Sequence, residues 1–364
     1  MKENKTRIVF TGDISFSGFF SGRENENILS DEILEYIKTA DCSVVNMESP
    51  VTDEEVSRKE RLSHRCSGDA LDYIVRTFNS PVVSYANNHI MDYGVKGFLD
   101  SLNAAEIRGV EYIGAGKNLK KAAEYAVLGD EVRVAVMAVQ YKNELTASEE
   151  APGPLHEFEK KLIRKQIRRM KREADYAVIV YHGGNEFLHA PMPYIRRTLK
   201  QYISWGCDAV VAHHPHVVQG YEKIGDKMIF YSLGNFIFDT EYQRMQDYTD
   251  RGIILGMDFT DKGISWDVKP CVLDRNTMRI KEGEEDPHFT DIADTDYRRL
   301  WCRESLRKRE VRKRADSLRE SGKDRADDEI YEVEIVRSGR DRRRAFYRKL
   351  VMKTGQFLAE HIYR

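Results

Sequence analysis

Five short apolar runs in this chain each end in a cluster of polar side chains, and that repeated pattern constrains the fold more than any other feature. The sharpest case is Ala209 to Ala212, followed at once by His213-His214-Pro215-His216. An apolar run that short, bounded by polar residues, reads as a buried strand. Pro215 fixes φ and lacks a backbone donor, so no helix is expected through the cluster. The histidines then sit on a loop leaving a strand, where open α/β sheets gather ligands. A turn is expected next, and then the run Ile229 to Leu233, which ends in Gly234-Asn235-Phe236.

The pattern recurs along the chain. Residues 7–11 run into Gly12-Asp13, and Ser43-Val44-Val45 runs into Asn46 and Glu48. Pro81 to Tyr85 ends in Asn87-Asn88-His89, and Tyr176 to Tyr181 ends in His182 and Glu186. Helical spacing lies between these runs, over Asp31–Thr39, Ala70–Phe78, Gly97–Leu102, Phe158–Arg172 and Ile195–Trp205. The β-branched stretch Val132–Val139 adds a buried strand. Ile253–Phe259 and Ile264–Val272 read as strands paired through Asp261-Lys262-Gly263. Thr52–Ser67 is charged and lacks periodicity, so it reads as a loop or flap. Alternating strand and helix predicts an α/β domain over residues 1–280.

Beyond Lys281 the composition shifts. Arg298, Arg299, Arg303, Arg307, Arg309, Arg312 and Arg314 are mixed with acids, and Leu300, Leu306, Val311 and Leu318 are sparse. Residues 281–364 are therefore expected to form a charged, mainly helical extension of one or two long helices. Its arginines are expected on a solvated face with intrahelical ion pairs. A second basic cluster runs from Arg340 to Lys349.

Bulk properties exclude some functions. A net charge of −2 gives no global field toward nucleic acid or an anionic membrane. Ile8-Val9-Phe10 is too short for a signal peptide's apolar core, and no run approaches the roughly 20 apolar residues of a membrane span. The five cysteines are odd in number and never spaced Cys-x-x-Cys, which fits reduced thiols in a cytoplasmic protein. There is no Gly-x-Ser-x-Gly elbow, Walker loop or dinucleotide fingerprint.

Of ten histidines, six (His89, His182, His189, His213, His214, His216) lie in or next to the polar strand ends. Imidazole nitrogens combined with carboxylate and amide oxygens suit Zn, Mn or Fe. The donors outnumber those one tetrahedral ion can use. Two divalent ions bridged by a carboxylate would employ them all, and such a pair suits in-line displacement at phosphorus. No cysteine joins a cluster, which argues against a structural zinc site.

Phe10-Thr11-Gly12-Asp13, Asn46-Met47-Glu48, Ala86-Asn87-Asn88-His89 with Asp92-Tyr93-Gly94, His182-Gly183-Gly184-Asn185-Glu186, His213-His214-Pro215-His216 and Tyr231 to Phe236 together resemble the CapA family. That is the capsule-synthesis group named for poly-γ-glutamate production, related to calcineurin-like metallophosphoesterases. The resemblance covers about residues 6–272. It implies a four-layer α-β-β-α sandwich with a dinuclear metal site at one end. By position, it makes Asp13, Glu48, Asn88, His182, His214 and His216 the metal ligands, with Glu48 as the bridging carboxylate. It makes His89 the acid or phosphate contact, and Glu186 and His213 neighbouring or substrate-facing groups. Asn235 would shape the pocket floor, with Asn46 and Asn87 beside the substrate. One departure is visible: Ser15 stands where the phosphoesterase Asp-x-His pattern has its histidine. The implied activity is metal-dependent hydrolysis of a phosphoester, or of a related bond in a surface polymer. A non-catalytic assembly component that binds anionic polymer among polymer-synthesis proteins is the alternative.

Overall fold

The first strand, β1 (Lys5–Ile14), shows why two sheets form back to back. Successive side chains of a strand point to opposite faces. Here Ile8 and Phe10 enter one apolar cluster and Val9 enters another. A strand apolar on both faces needs a cover on each. The computed structural model describes residues 4–58, 62–141, 145–292 and 294–321. Chain contacts separate Met1–Asp327 from Asp328–Arg364, and the described residues all belong to the first unit. The basic cluster Arg340–Lys349 lies outside the described residues.

The first part of the chain alternates strand and helix. After β1 come α1 (Asp31–Lys38), β2 (Cys42–Met47), α2 (Asp69–Thr77), β3 (Pro81–Ser84), α3 (Gly94–Arg108) and β4 (Glu111–Ile113). Asp31 and Glu32 in the first turn of α1, and Lys38 in its last, suit the helix dipole. Gly109 at φ 64° ends α3 in the left-handed region. Small elements follow: β5 (Ala115–Gly116), α4 (Leu119–Ala122), β6 (Ala126–Leu128), β7 (Val134–Gln140) and β8 (Gly153–Pro154).

The second half builds the other sheet from α5 (Lys160–Glu173), β9 (Tyr176–His182), α6 (Pro193–Ser204), β10 (Ala209–His213), β11 (Val218–Ile224) and β12 (Lys227–Leu233). The chain then returns to the first sheet through β13 (Asn235–Ile237), α7 (Glu241–Arg244), β14 (Arg251–Thr260), β15 (Gly263–Asp274) and β16 (Arg279–Glu282), and closes with α8 (Asp294–Ser321).

The larger sheet has the order β16-β15-β14-β1-β2-β3-β4, with β13 paired to β1. The smaller has the order β11-β12-β10-β9-β7-β6. Ile8, Phe10, Val44 and Val82 of one sheet meet Val136, Val178, Val180 and Val211 of the other in a shared core. On its outer face the larger sheet packs against Ile33 and Ile37 of α1, Leu71 and Ile74 of α2, and Phe98 and Leu102 of α3. On the smaller sheet α5 lies over β7 and β9, and α6 over β10 and β12. The layers run helix, sheet, sheet, helix, as the resemblance implies.

Two sequence expectations change. The expected turn between His216 and Ile229 is β11, an edge strand antiparallel to β12, with the hairpin at Gly225. Gly220 and the polar Gln219, Glu222 and Lys223 mask its alternation. In α8, Arg303 pairs within the helix with Glu304 at 3.7 Å, whereas Arg307 and Arg314 reach outside it to Asp247 at 3.9 and 2.9 Å. The helix packs on the α/β part through Tyr297 Oη to Pro191 O at 3.1 Å and through Glu304, which accepts the His189 N–H at 2.8 Å. The strand β16 runs across residue 280. No helix among the described residues is long and apolar enough to cross a membrane. Cys42, Cys66, Cys207 and Cys271 are buried free thiols, and Cys302 is an exposed one.

Candidate metal centre

The parallel strands β1, β2 and β3 of one sheet and β9 and β10 of the other end together, so the loops beyond them share one end of the sandwich. The chain also crosses between sheets there. β12 ends at Leu233, Gly234 turns with φ 71°, and β13 joins β1 with Asn235 opposite Asp13. The two backbones touch at this crossing: a Cβ on Gly12 would lie 2.3 Å from the Gly234 carbonyl oxygen. Only glycine permits that approach.

Each polar strand end contributes to one buried cluster. Asp13 is fully buried; its Oδ1 accepts from Asn46 Nδ2 at 2.8 Å and its Oδ2 from the His214 N–H at 3.2 Å. His213 Nδ1 lies 3.2 Å from Asp13 Oδ1, and His216 Nδ1 lies 3.5 Å from Oδ2. Glu48 follows β2, and its N–H donates to Ile14 O at 2.7 Å, fixing it against the irregular end of β1. Glu48 Oε1 lies 3.3 Å from His182 Nε2, 3.8 Å from His216 Nε2 and 3.9 Å from His89 Nε2. Asn88 Oδ1 lies 2.8 Å from His182 Nε2.

His214 and His216 have φ of 96° and 56°, in the left-handed region that non-glycine residues avoid. Such backbone persists only where surrounding structure enforces it, and it concentrates at functional sites. Asn235 Oδ1 lies 2.9 Å from His216 Nδ1, which leaves Nε2 for Glu48. Asn235 is itself anchored, its amide donating to Thr249 O at 2.9 Å and to Gln243 Oε1 at 3.2 Å.

The donor set fits divalent ions. Ligand atoms of Asp13, Glu48 and His182 lie within 4.8 Å of one another, and so do those of Glu48, His214 and His216. Both triads are buried, and Glu48 belongs to both. Electrostatics favour the ligating forms of Asp13, His182 and His216. Burial opposes ionisation of Asp13, but the His213 imidazole and the other histidines hold its carboxyl well below the usual range. Burial, reinforced by His214, pushes His182 well below an ordinary histidine, and burial also lowers His216 against the pull of Asp13 and Asn235. An ionised carboxylate among neutral imidazoles is the state that binds metal without first losing protons.

The remaining candidates take other places. Asn46 bridges Asp13 and His182, with Nδ2 3.3 Å from His182 Nδ1, while its Oδ1 makes no hydrogen bond. Asn87 braces the loop: its amide donates to Met47 O at 2.8 Å, and its Oδ1 accepts the N–H groups of His89 and Ile90 at 3.1 and 3.0 Å. Glu186 is partly exposed on the loop after β9. His189 leaves the cluster and stacks on His288 at 3.5 Å between ring centroids.

Two partners of His89 stand outside the candidate site residues, although Asp92 lies in the Ala86–Gly94 motif. Asp92 Oδ2 lies 2.7 Å from His89 Nδ1, and the ring of His64 meets His89 edge-on at 4.1 Å. His64 comes from the charged segment after Thr52 yet is buried, with Nδ1 2.6 Å from Ser17 Oγ. Ser17 continues to Ser15 at 2.8 Å. Ser15 bonds Ser49 at 2.5 Å and so carries no imidazole toward Asp13.

Comparison with known proteins bears on the chain's family. Residues 7–240 match the bacterial capsule synthesis protein family PGA_cap. A capsule biosynthesis protein CapA of Bacillus anthracis is 29% identical over 315 residues, which cover 82% of this chain and 74% of that protein. The PGA biosynthesis protein CapA of Bacillus subtilis (strain 168) is 30% identical over 247 residues, covering 65% and 64%. A probable polyglutamine synthesis accessory protein of Mycobacterium tuberculosis (strain ATCC 25618 / H37Rv) is 27% identical over 223 residues, covering 57% and 58%. The chain thus spans 64% and 58% of the latter two relatives. With residues 7–240 of 364 matched, from β1 through the second sheet and the loops of the buried cluster, this chain belongs to the PGA_cap family of bacterial capsule synthesis proteins.

Proposed function

We propose that this chain is a divalent-metal-dependent hydrolase that cleaves a phosphoester, or a related bond, in a capsule polymer or its precursor. Poly-γ-glutamate is the polymer to which the relatives' names point. The observation that carries the reading is Glu48, a buried carboxylate common to two triads of ligand atoms. Asp13, Asn88 and His182 would complete one ion site with Glu48, and His214 and His216 the other. A pair of Mn, Fe or Zn ions would supply Lewis-acid polarisation at phosphorus.

The chain's own groups would do the rest. Asp92 holds His89 at Nδ1 and leaves Nε2 directed toward Glu48, where it can protonate a leaving oxygen. Asn46 and Asn235 position Asp13, His182 and His216. His213 and Glu186 are the remaining groups for substrate contact. In this reading residues 1–280 carry the hydrolase, and the charged extension from 281 meets polymer-synthesis proteins. The free thiols fit action in the reducing cytoplasm.

Elemental analysis of protein purified without chelator, together with hydrolysis of p-nitrophenyl phosphate and its bis-ester, tests the proposal. Bound transition metal is expected, with hydrolysis that chelation removes and metal restores. Changing both His214 and His216 to Ala should abolish it while circular dichroism stays unchanged. Absence of bound metal would refute the reading. Ser15, tied to Ser17 and Ser49, favours a second reading in which the cleft binds anionic polymer without cleaving it. Metal without hydrolysis on any phosphoester would select that one.

A further inference from the structure

The outer face of α5 carries a stripe of cations that the metal centre does not use. Lys161, Arg164, Lys165, Arg168 and Arg172 alone line one open depression on the surface. At 3.6 residues per turn they fall within about 100° of the helix circumference and extend about 16 Å along it. The opposite face buries Ile163, Ile167 and Met170. The ion pairs of α5 are Arg169 with Glu173 and Lys171 with Asp208, and none of the five stripe cations has an ion-pair partner among the described residues.

This arrangement works against the helix that bears it. Lys161–Lys165, Arg164–Arg168, Lys165–Arg169 and Arg168–Arg172 are like-charged pairs four residues apart, each destabilising. The first turn has no acid and begins with Lys160 and Lys161, opposed to the helix dipole. A face that only kept the helix soluble would gain from alternating signs. In a chain of net charge −2, so concentrated a positive row points to an anionic partner.

We infer that α5 is a docking stripe for a linear polycarboxylate, separate from the metal centre. Lys161, Lys165, Arg168 and Arg172 form a row with steps of about 4.5–6 Å along the axis, and Arg164 sits beside Lys165. An extended chain bearing a carboxylate on every unit repeats charge on one side at about 6.6 Å, a matching scale. No aromatic ring shares the stripe, so the stacking platform used for single-stranded nucleic acid is missing. The apolar side of α5 faces its own sheet, so the helix has nothing to insert into a bilayer. The stripe also leads to the cleft. Just before α5, the Glu157 N–H donates to Gln140 O, and Gln140 lies opposite His182 in register. The helix then runs back toward the start of β9, so a polymer along it has one end beside the strand ends that hold His182.

The test is anisotropy of fluorescently labelled poly-L-glutamate with the full chain, against a variant carrying Arg164→Gln, Lys165→Gln, Arg168→Gln and Arg172→Gln. Glutamine keeps helix propensity, and circular dichroism checks the fold. Wild-type binding is expected, weakening steeply with salt, and the variant should lose roughly tenfold or more. Should the quadruple variant misfold, Arg168→Gln and Arg172→Gln separately should each weaken binding about two- to threefold. Chelation should leave polyglutamate binding intact, so failure of the hydrolase proposal would not affect this one. No wild-type binding, or equal binding by the variants, would overturn it. So would tighter binding of phosphatidylglycerol vesicles or duplex DNA than of polyglutamate through the same cations.

Discussion

At the scale of single residues, the centre depends on which nitrogen each imidazole presents. Asn235 occupies His216 Nδ1 at 2.9 Å and leaves Nε2 toward Glu48. Partners of this kind set ring orientation, and losing one lowers metal affinity about 10–100-fold. Asn235→Ala is expected to do this with little change in fold, read by competition with a chromophoric chelator; unchanged affinity would show that Asn235 does not orient the ring. Most of the proposed donors were legible in the sequence because they sit where apolar runs stop, as Asp13, His182 and His214 do. His64 was not, and Asp92 was visible only as part of the Ala86–Gly94 motif. His64 lies in a charged stretch without periodicity, and its burial comes from the packing of that loop over Ser17 and His89. His189 was misleading for the opposite reason: near His182 in sequence, it is drawn toward His288 by the docking of the C-terminal segment.

At the scale of elements, β1, β14 and β15 are joined across three strands by one guanidinium. Arg7 donates to Asp258 at 3.1 Å and to both oxygens of Asp267 at 2.8 and 2.9 Å. It passes over Gly256, where a Cβ would lie 2.4 Å from its Nη2. Partial burial raises the Asp267 pKa, but the hydrogen bonds from Arg7 and Tyr36 outweigh it, and the net shift is downward. A carboxyl with a lowered folded pKa stabilises above its unfolded value, about 3.9, and loses that contribution as pH falls through the folded value. Urea denaturation should therefore show a stability gap between wild type and Asp267→Asn at neutral pH that closes below about pH 4. Asp267 is 51% exposed, so solvent screening keeps the gap small. A gap independent of pH would remove the ion pair as its cause. The buried parallel strands and their helices could be read from β-branched runs and helical spacing. The edge strand β11 could not, because it buries polar Gln219 and Glu222 and Gly220 interrupts it.

At the scale of the whole molecule, the proposed ligand set draws on both sheets: Asp13, Glu48 and Asn88 lie at strand ends of one, His182, His214 and His216 at strand ends of the other. On that proposal an occupant would bind only when the two are docked. Ligands that bind only the folded state stabilise it in proportion to RT ln(1 + [L]/Kd), about 2.7 kcal/mol at a hundredfold excess over Kd. The melting temperature should accordingly rise with metal concentration and fall on chelation, and the shift should vanish in the protein with both His214 and His216 changed to Ala. A metal-independent melting temperature would argue against a site spanning the sheets. That the runs share an end followed from strand–helix alternation. That the chain crosses between sheets at Gly234 did not, since β13 is only three residues long and is defined by its pairing with β1.

That crossing makes Asn235 both the register neighbour of Asp13 and the hydrogen-bond partner of His216. Residues 222 positions apart in sequence are thereby mechanically coupled. Substitutions at Asp13, His216 and Asn235 should not act as separable parts whose losses sum. The first to be removed will take most of what the others contribute, and the double-mutant coupling among the three will measure how far the centre behaves as one unit.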